Sequence, residues 1–281
     1  MNPLSSKAML VRMSIHSWSG KKLDRNAASA AGRELNFVAG DDRYVKYLVP
    51  KSTLDPLTRM HTVVRAYHQW ATFPWYDDGL RVLPSAGYFK YCNWIHEHRD
   101  LQQEMVEDFI RDYDTHKAYA KANRAALYKE EDYPAPEELR ELFGIELNFL
   151  PFPEADDFRV QMDAETMRQL KESIEAEHVR VVTQNISTLR TKLEDKLSRV
   201  ALMCSPANLN PRIYDSTIEA LVTTCEMVEG LNITNDATLA ATVSACNSWL
   251  NKVSPETLRT DPAVRERAYE AAMEIKEMMN G

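Results

Sequence analysis

The chain has 281 residues, 44% of them apolar and 27% charged, with 34 Lys/Arg against 42 Asp/Glu for a net charge of −8. That length can bury a substantial core, and the balance excludes an intrinsically disordered chain. Eight glycines argue against a Rossmann or P-loop enzyme and for long helices, and no apolar run approaches the ~20 residues of a membrane span.

The charge is unevenly spread. Residues 1–60 hold ten Lys/Arg and five acids, a net +5, which leaves −13 for residues 61–281. Trp18, Phe37, Tyr44 and Tyr47 sit among these cations. No apolar leader followed by a small-residue cleavage site is visible, which predicts a cytoplasmic protein. Cys92, Cys204, Cys225 and Cys246 form no CxxC pair and are expected to be buried free thiols of a reducing compartment.

Residues 9–18 alternate. Met9, Val11, Met13 and Ile15 point one way and Leu10, Arg12, Ser14, His16 and Trp18 the other, a half-buried strand with a cationic and aromatic face. Ser19 to Lys22 turns. Residues 23–39 are Ala-rich and read as a short helix or ordered loop, and Arg43 to Val49 as a short strand stopped by Pro50. Ser52 is placed to cap a helix over 53–70, where Leu57, Met60, Val63, Val64 and Tyr67 recur at helical spacing. Residues 73–83 read as a hairpin, with Asp78-Gly79 supplying the positive φ of a tight turn.

From Ser85 the pattern becomes helical. Tyr88, Tyr91, Ile95, His98, Gln102, Met105, Phe109 and Tyr113 step by three or four, which predicts one long helix to about Tyr128. A short helix from Pro136 to Phe143 and a strand from Ile145 follow. Asp163 is a good cap for the longest helix, 164–203, whose seam runs through Met167, Leu170, Ile174, Val181/Val182, Ile186, Leu189, Leu193, Leu197 and Val200. Such a helix spans ~60 Å and must pair with another long one. The helix over 88–128 is its expected antiparallel partner, in a coiled-coil-like hairpin. Three shorter helices are predicted at 211–230, 236–253 and 262–279, punctuated by Pro206, Pro211, Gly230, Pro255 and Pro262.

These elements predict an α+β, mostly α protein: a small antiparallel β region, a long antiparallel helical hairpin and a C-terminal helical bundle. In linear order they divide into a basic β-containing region (1–87), the hairpin with an intervening strand (88–205) and the bundle (206–281), as parts of one compact fold. The 164–203 seam closes either within one chain or between two, and homo-oligomerisation is the favoured expectation.

Catalytic motifs are missing. HExxH, GxSxG, GxxxxGK[ST] and GxGxxG do not occur. Cys92, His96 and His98 suggest a metal, but residues two apart on a helix face different ways, so two ligands at most converge and no metal or other cofactor is expected. The acidic pairs Asp41/Asp42, Asp77/Asp78, Glu130/Glu131 and Asp156/Asp157 read as turn chemistry. An enzyme is not expected. The aromatics between Trp70 and Trp94 are mostly core, with Trp75 and Tyr76, flanked by Arg65 and Arg81 but opposed by Asp77 and Asp78, as candidates for base stacking.

The basic N-terminal segment is the sharper candidate. Cations neutralise phosphates and exposed rings stack on unpaired bases, so a locally positive groove suffices even on an acidic protein. Arg12, Lys21, Lys22, Arg25, Arg43 and Lys46 are the expected phosphate contacts, and Trp18, Tyr44 and Tyr47 the expected base-stacking rings. The plainer reading of the same residues is a solvated strand face.

Four stretches look familiar together: MLVRMSIHSWSGKKLD over 9–24, YVKYLVPK over 44–51, PWYDDGLRVLPSA over 74–86 and ADDFRV over 155–160. They resemble the single-stranded-DNA-binding RNA polymerase cofactor family of short-tailed phages, over most of the chain. The resemblance implies a non-catalytic protein of the host cell cytoplasm. It would bind unwound promoter DNA and recruit the phage RNA polymerase. It assigns no binding residues. The alternative is a phage-encoded adaptor or inhibitor that uses its helical hairpin on a protein partner without touching nucleic acid.

Overall fold

The computed structural model describes residues 6–35, 43–75, 79–124, 127–153, 163–208 and 211–280. The chain is mostly helical with a small antiparallel β component, the predicted class. It divides into two compact units. The first holds residues 1–12, 69–88 and 149–281, and the second 13–68 and 89–148. The boundaries fall inside secondary-structure elements, several of which begin in one unit and end in the other.

Among them are β1 (Ala8–His16) and α2 (Asp55–Ala71). β1 is central in a four-stranded sheet of order β4-β5-β1-β6, with β4 (Phe73–Pro74), β5 (Leu80–Pro84) and β6 (Gly144–Leu150). In the first unit β1 pairs antiparallel with β5, from Ala8 opposite Pro84 to Arg12 opposite Leu80. Leu10 and Val11 are both buried, so the alternation expected of a half-exposed strand fails over this part of β1. A central strand covered on both faces reads as a continuous apolar run instead. Gly79, at the foot of β5, has φ +86°, as the hairpin reading requires, while the turn residues 76–78 lie outside the described residues.

The first unit is organised on α6 (Ala164–Cys204), 41 residues long. The Asp163 carboxylate caps it by accepting the N–H groups of Glu165 and Thr166, and Pro206 follows its end. Val181, Leu189, Leu193, Leu197 and Val200 are buried, each contributing about 1.5–3 kcal/mol of apolar transfer. They pack with α7 (Asp215–Leu231), α8 (Ala237–Leu250), α9 (Pro255–Thr260) and α10 (Pro262–Asn280) in one cluster. The long partner of α6 is α10, assisted by α7. Lys276 donates to Ser198 Oγ while Arg265 lies near Cys204, so α6 and α10 run antiparallel. The helix over 88–128 expected in that role belongs to the second unit. Helical spacing shows which face a helix buries but not which helix covers it. Cys204, Cys225 and Cys246 are buried free thiols, and Cys92 is half-buried.

In the second unit, α2 and α3 (Tyr88–Arg111) pack through polar as well as apolar groups. The His68 ring bonds the Tyr91 hydroxyl at 2.7 Å, and buried Gln102 meets His61 Nε2 at 2.7 Å. The predicted single helix breaks at Asp112 and resumes as α4 (Tyr113–Arg124). Phe109, Tyr113 and Ala120 enter a core with Leu48, Val49, Tyr133 and Leu139, the last from the short α5 (Pro136–Glu141). Packed on this core is a two-stranded antiparallel ribbon, β2 (Lys21–Leu23) with β3 (Val45–Tyr47), which flanks α1 (Arg25–Leu35).

Candidate nucleic-acid interface

The ribbon pairs Lys21 with Tyr47, Lys22 with Lys46 and Leu23 with Val45. Its Asp24 N–H continues the ladder to the Tyr44 carbonyl at 2.9 Å. Strand alternation then separates two faces. Lys22, Asp24 and Lys46 share one, and Lys21, Leu23, Val45 and Tyr47 the other. Gly20 enters the ribbon at φ +63°, and a Cβ there would stand 2.9 Å from Leu54 Cδ1 and 3.2 Å from Val49 Cγ2. Only glycine combines that backbone with that closeness.

The inner face is an ion-pair lattice. Lys46 Nζ reaches Asp24 Oδ2 at 2.9 Å and Asp132 Oδ2 at 2.6 Å, and donates to the Leu127 carbonyl at 2.9 Å. Lys22 Nζ holds the other Asp132 oxygen at 2.6 Å. The Lys46 side chain is only 4% exposed. Burial alone would pull its pKa down, but the bonds from Asp132 and Asp24 outweigh that and hold it above the usual lysine value. Asp24 is held below the carboxylate range, first by the Ala27 N–H it accepts at the start of α1 and then by Lys46. For Asp132 burial acts upward, and the bonds from Lys22 and Lys46 overcome it.

Three of the sequence assignments therefore need correcting. Lys46 cannot meet a phosphate, because its ammonium is buried between two carboxylates. The Lys22 ammonium is committed to Asp132, although half of its side chain remains exposed. Trp18 is half-buried, with its ring centroid 5.9 Å from Phe109 and 6.1 Å from Tyr113, so its faces serve the core. The hairpin candidates fare likewise. Trp75 is buried against Phe152 and His178, and Arg81 is pinned by Thr72 and the Gln69 carbonyl. Tyr76 lies outside the described residues.

The outer face is different. Lys21 Nζ stands 5.1 Å over the Tyr47 ring, a cation–π contact that leaves the amine in solvent. Leu23 and Val45 are 44% and 45% exposed; Tyr44, opposite Asp24 and so on the inner side by alternation, is 41% exposed at the ribbon's end. Arg25, the first residue of α1, and Arg43 are exposed, and neither has an ion-pair partner among the described residues. The structure thus brings Lys21, Arg25, Arg43, Tyr44 and Tyr47 together in one unit. Arg12 is exposed on β1 within the first unit. Leu23 and Val45 were not singled out in the sequence, although the three-residue register of the ribbon would have marked them.

Among the described residues no group of three or more His, Cys, Asp or Glu side chains could hold a metal ion, and no described helix is long and apolar enough to cross a membrane. His98 is stacked on Trp94 and bonds its carbonyl, an arrangement that belongs to the α3 surface. The outer ribbon face offers cationic amines and guanidinium groups around a strip of aliphatic and aromatic surface. No family model, no curated protein and no solved structure matches this chain.

Proposed function

We propose that the protein is a non-catalytic single-stranded-DNA-binding protein, and that the outer face of the β2–β3 ribbon is its contact surface. The observation that carries this reading is the sorting of the N-terminal cations. Those needed for stability are turned inward and neutralised, while Lys21, Arg25 and Arg43 are exposed with no ion-pair partner among the described residues, and Lys21 stands over Tyr47 on the face that exposes Leu23 and Val45. Cations beside exposed rings and aliphatic surface suit a flexible polyanion whose bases are unpaired, because every base has a face to stack and none need be read by sequence. With the resemblance noted in the sequence, the role is that of a phage transcription cofactor that holds unwound promoter DNA and recruits the phage RNA polymerase, working as a homo-oligomer.

The test is a fluorescence anisotropy titration of labelled oligo(dT) at low and high salt. Affinity should fall as salt rises, because each neutralised phosphate releases counterion. No binding at low salt removes the reading. Leu23 and Val45 favour a second one, a protein adaptor, since aliphatic surface on a two-stranded ribbon also suits a protein partner. A partner retained from nuclease-treated infected lysate, together with no oligonucleotide affinity, would select it.

A further inference from the structure

The first unit carries a second surface of related chemistry, where α6 ends and α7 begins. Arg199, Leu202, Met203, Asn208, Arg212 and Tyr214 line a shallow groove of about 450 Å³. Leu202 is 75% exposed and Tyr214 56% exposed, although each adjoins a buried residue, Met203 and Ile213. Among the described residues neither Arg199 nor Arg212 has an ion-pair partner. The neighbouring acid, Asp215, is already engaged by Arg259. The first unit has more acidic than basic side chains overall, so two guanidinium groups without an ion-pair partner among the described residues, lining one groove, are a local reversal of its charge. Guanidinium forks suit phosphate oxygens, an exposed phenol ring offers a stacking face, and Leu202 offers aliphatic surface to a base or deoxyribose.

We infer that this groove is a second single-strand subsite, in which Arg199 and Arg212 hold the phosphodiester backbone and Tyr214 stacks on an unpaired base. The inference rests on the single-strand reading above and extends it to a separate surface. All three side chains are exposed, so their replacement should leave the thermal melt of the full chain unchanged.

The experiment is the oligo(dT) titration repeated across salt with the wild type, an Arg199→Ala/Arg212→Ala variant, Tyr214→Ala, and a Lys21→Ala/Arg25→Ala ribbon variant. Each phosphate contact contributes about 0.7 to the slope of log K against log salt on a single strand, so losing both arginines should flatten it by about 1.4. Tyr214→Ala should weaken binding about 5- to 150-fold, and Tyr214→Phe should restore it. Wild-type binding with an unchanged slope in the double-arginine variant overturns the groove and leaves the ribbon standing. Dependence on the groove without dependence on the ribbon overturns the ribbon and keeps the groove. No wild-type binding at low salt overturns both. Loss of poly-glutamate binding in the double-arginine variant, with oligo(dT) binding unaltered, overturns the subsite in favour of an acidic protein partner.

Discussion

Lys21 and Lys22 are adjacent in sequence and meet opposite fates. Lys22 points inward to Asp132 beside buried Lys46, and Lys21 points outward over Tyr47. The same contrast holds for carboxylates. Asp24 and Asp132 are buried with cations, while Glu131, next to Asp132, is exposed. A cation count therefore says little about a binding surface until strand alternation has assigned each cation to a face. On the inner face charge fastens β3 and the start of α1 to residues 127–133. On the outer face it is left exposed to solvent.

The largest effect should come from the inner face. Lys46→Ala leaves two carboxylates buried without their shared cation and should cost about 3–5 kcal/mol, read by urea unfolding of the full chain. Lys46→Met should be similarly damaging, because the missing charge rather than the missing volume sets the cost. An unfolding midpoint within error of wild type would mean that the lattice contributes nothing net.

Titration should break the same lattice. Asp24 and Asp132 titrate below the ordinary value of 3.8 in the folded chain, so their stabilisation is complete above that pH and drains as pH falls through their folded values. Lys46 titrates above the ordinary 10.5, so its share is complete below that pH and is lost only as pH rises through its folded value. Stability against pH should show an acid edge that Lys46→Ala shifts or blunts, followed by thermal melts of both proteins.

A smaller loss is expected at the ribbon's entrance. Gly20→Ala should cost about 1–2 kcal/mol for the left-handed backbone, with a further penalty for moving Leu54. On the outer face the effect on stability should nearly vanish. Lys21→Ala and Arg25→Ala should each stay within about 0.5 kcal/mol of wild type. Each should nonetheless flatten the salt dependence of oligo(dT) binding by about 0.7. Stability loss without binding loss at Lys46, and the reverse at Lys21, is the pattern that separates the two faces.

Much of the fold was legible because its signals are local. Asp163 opens α6 where its capping chemistry predicts, and Gly79 has the backbone its hairpin demands. The apolar seam of α6 is buried along Leu189, Leu193, Leu197 and Val200. What the sequence could not supply is pairing at a distance. The cover for that seam comes from α10, some seventy residues on, and the counter-charge for Lys22 and Lys46 comes from Asp132, in an acidic run that reads as solvated. Lys46 looked like a phosphate contact because its partners lie 22 and 86 positions away. Trp18 looked available because Phe109 and Tyr113 arrive from the far end of α3 and the start of α4.

The division of the chain between its two units also orders events on the ribosome. Every segment of the second unit has been synthesised once Asn148 emerges, so its core and its ribbon can close while translation continues. The first unit has no such early finish. The front half of β1 is made before the second unit, yet α7 and α10, which cover α6, are made after it. A nascent chain halted before α10 would carry a finished ribbon beside an apolar helix with nothing to cover it.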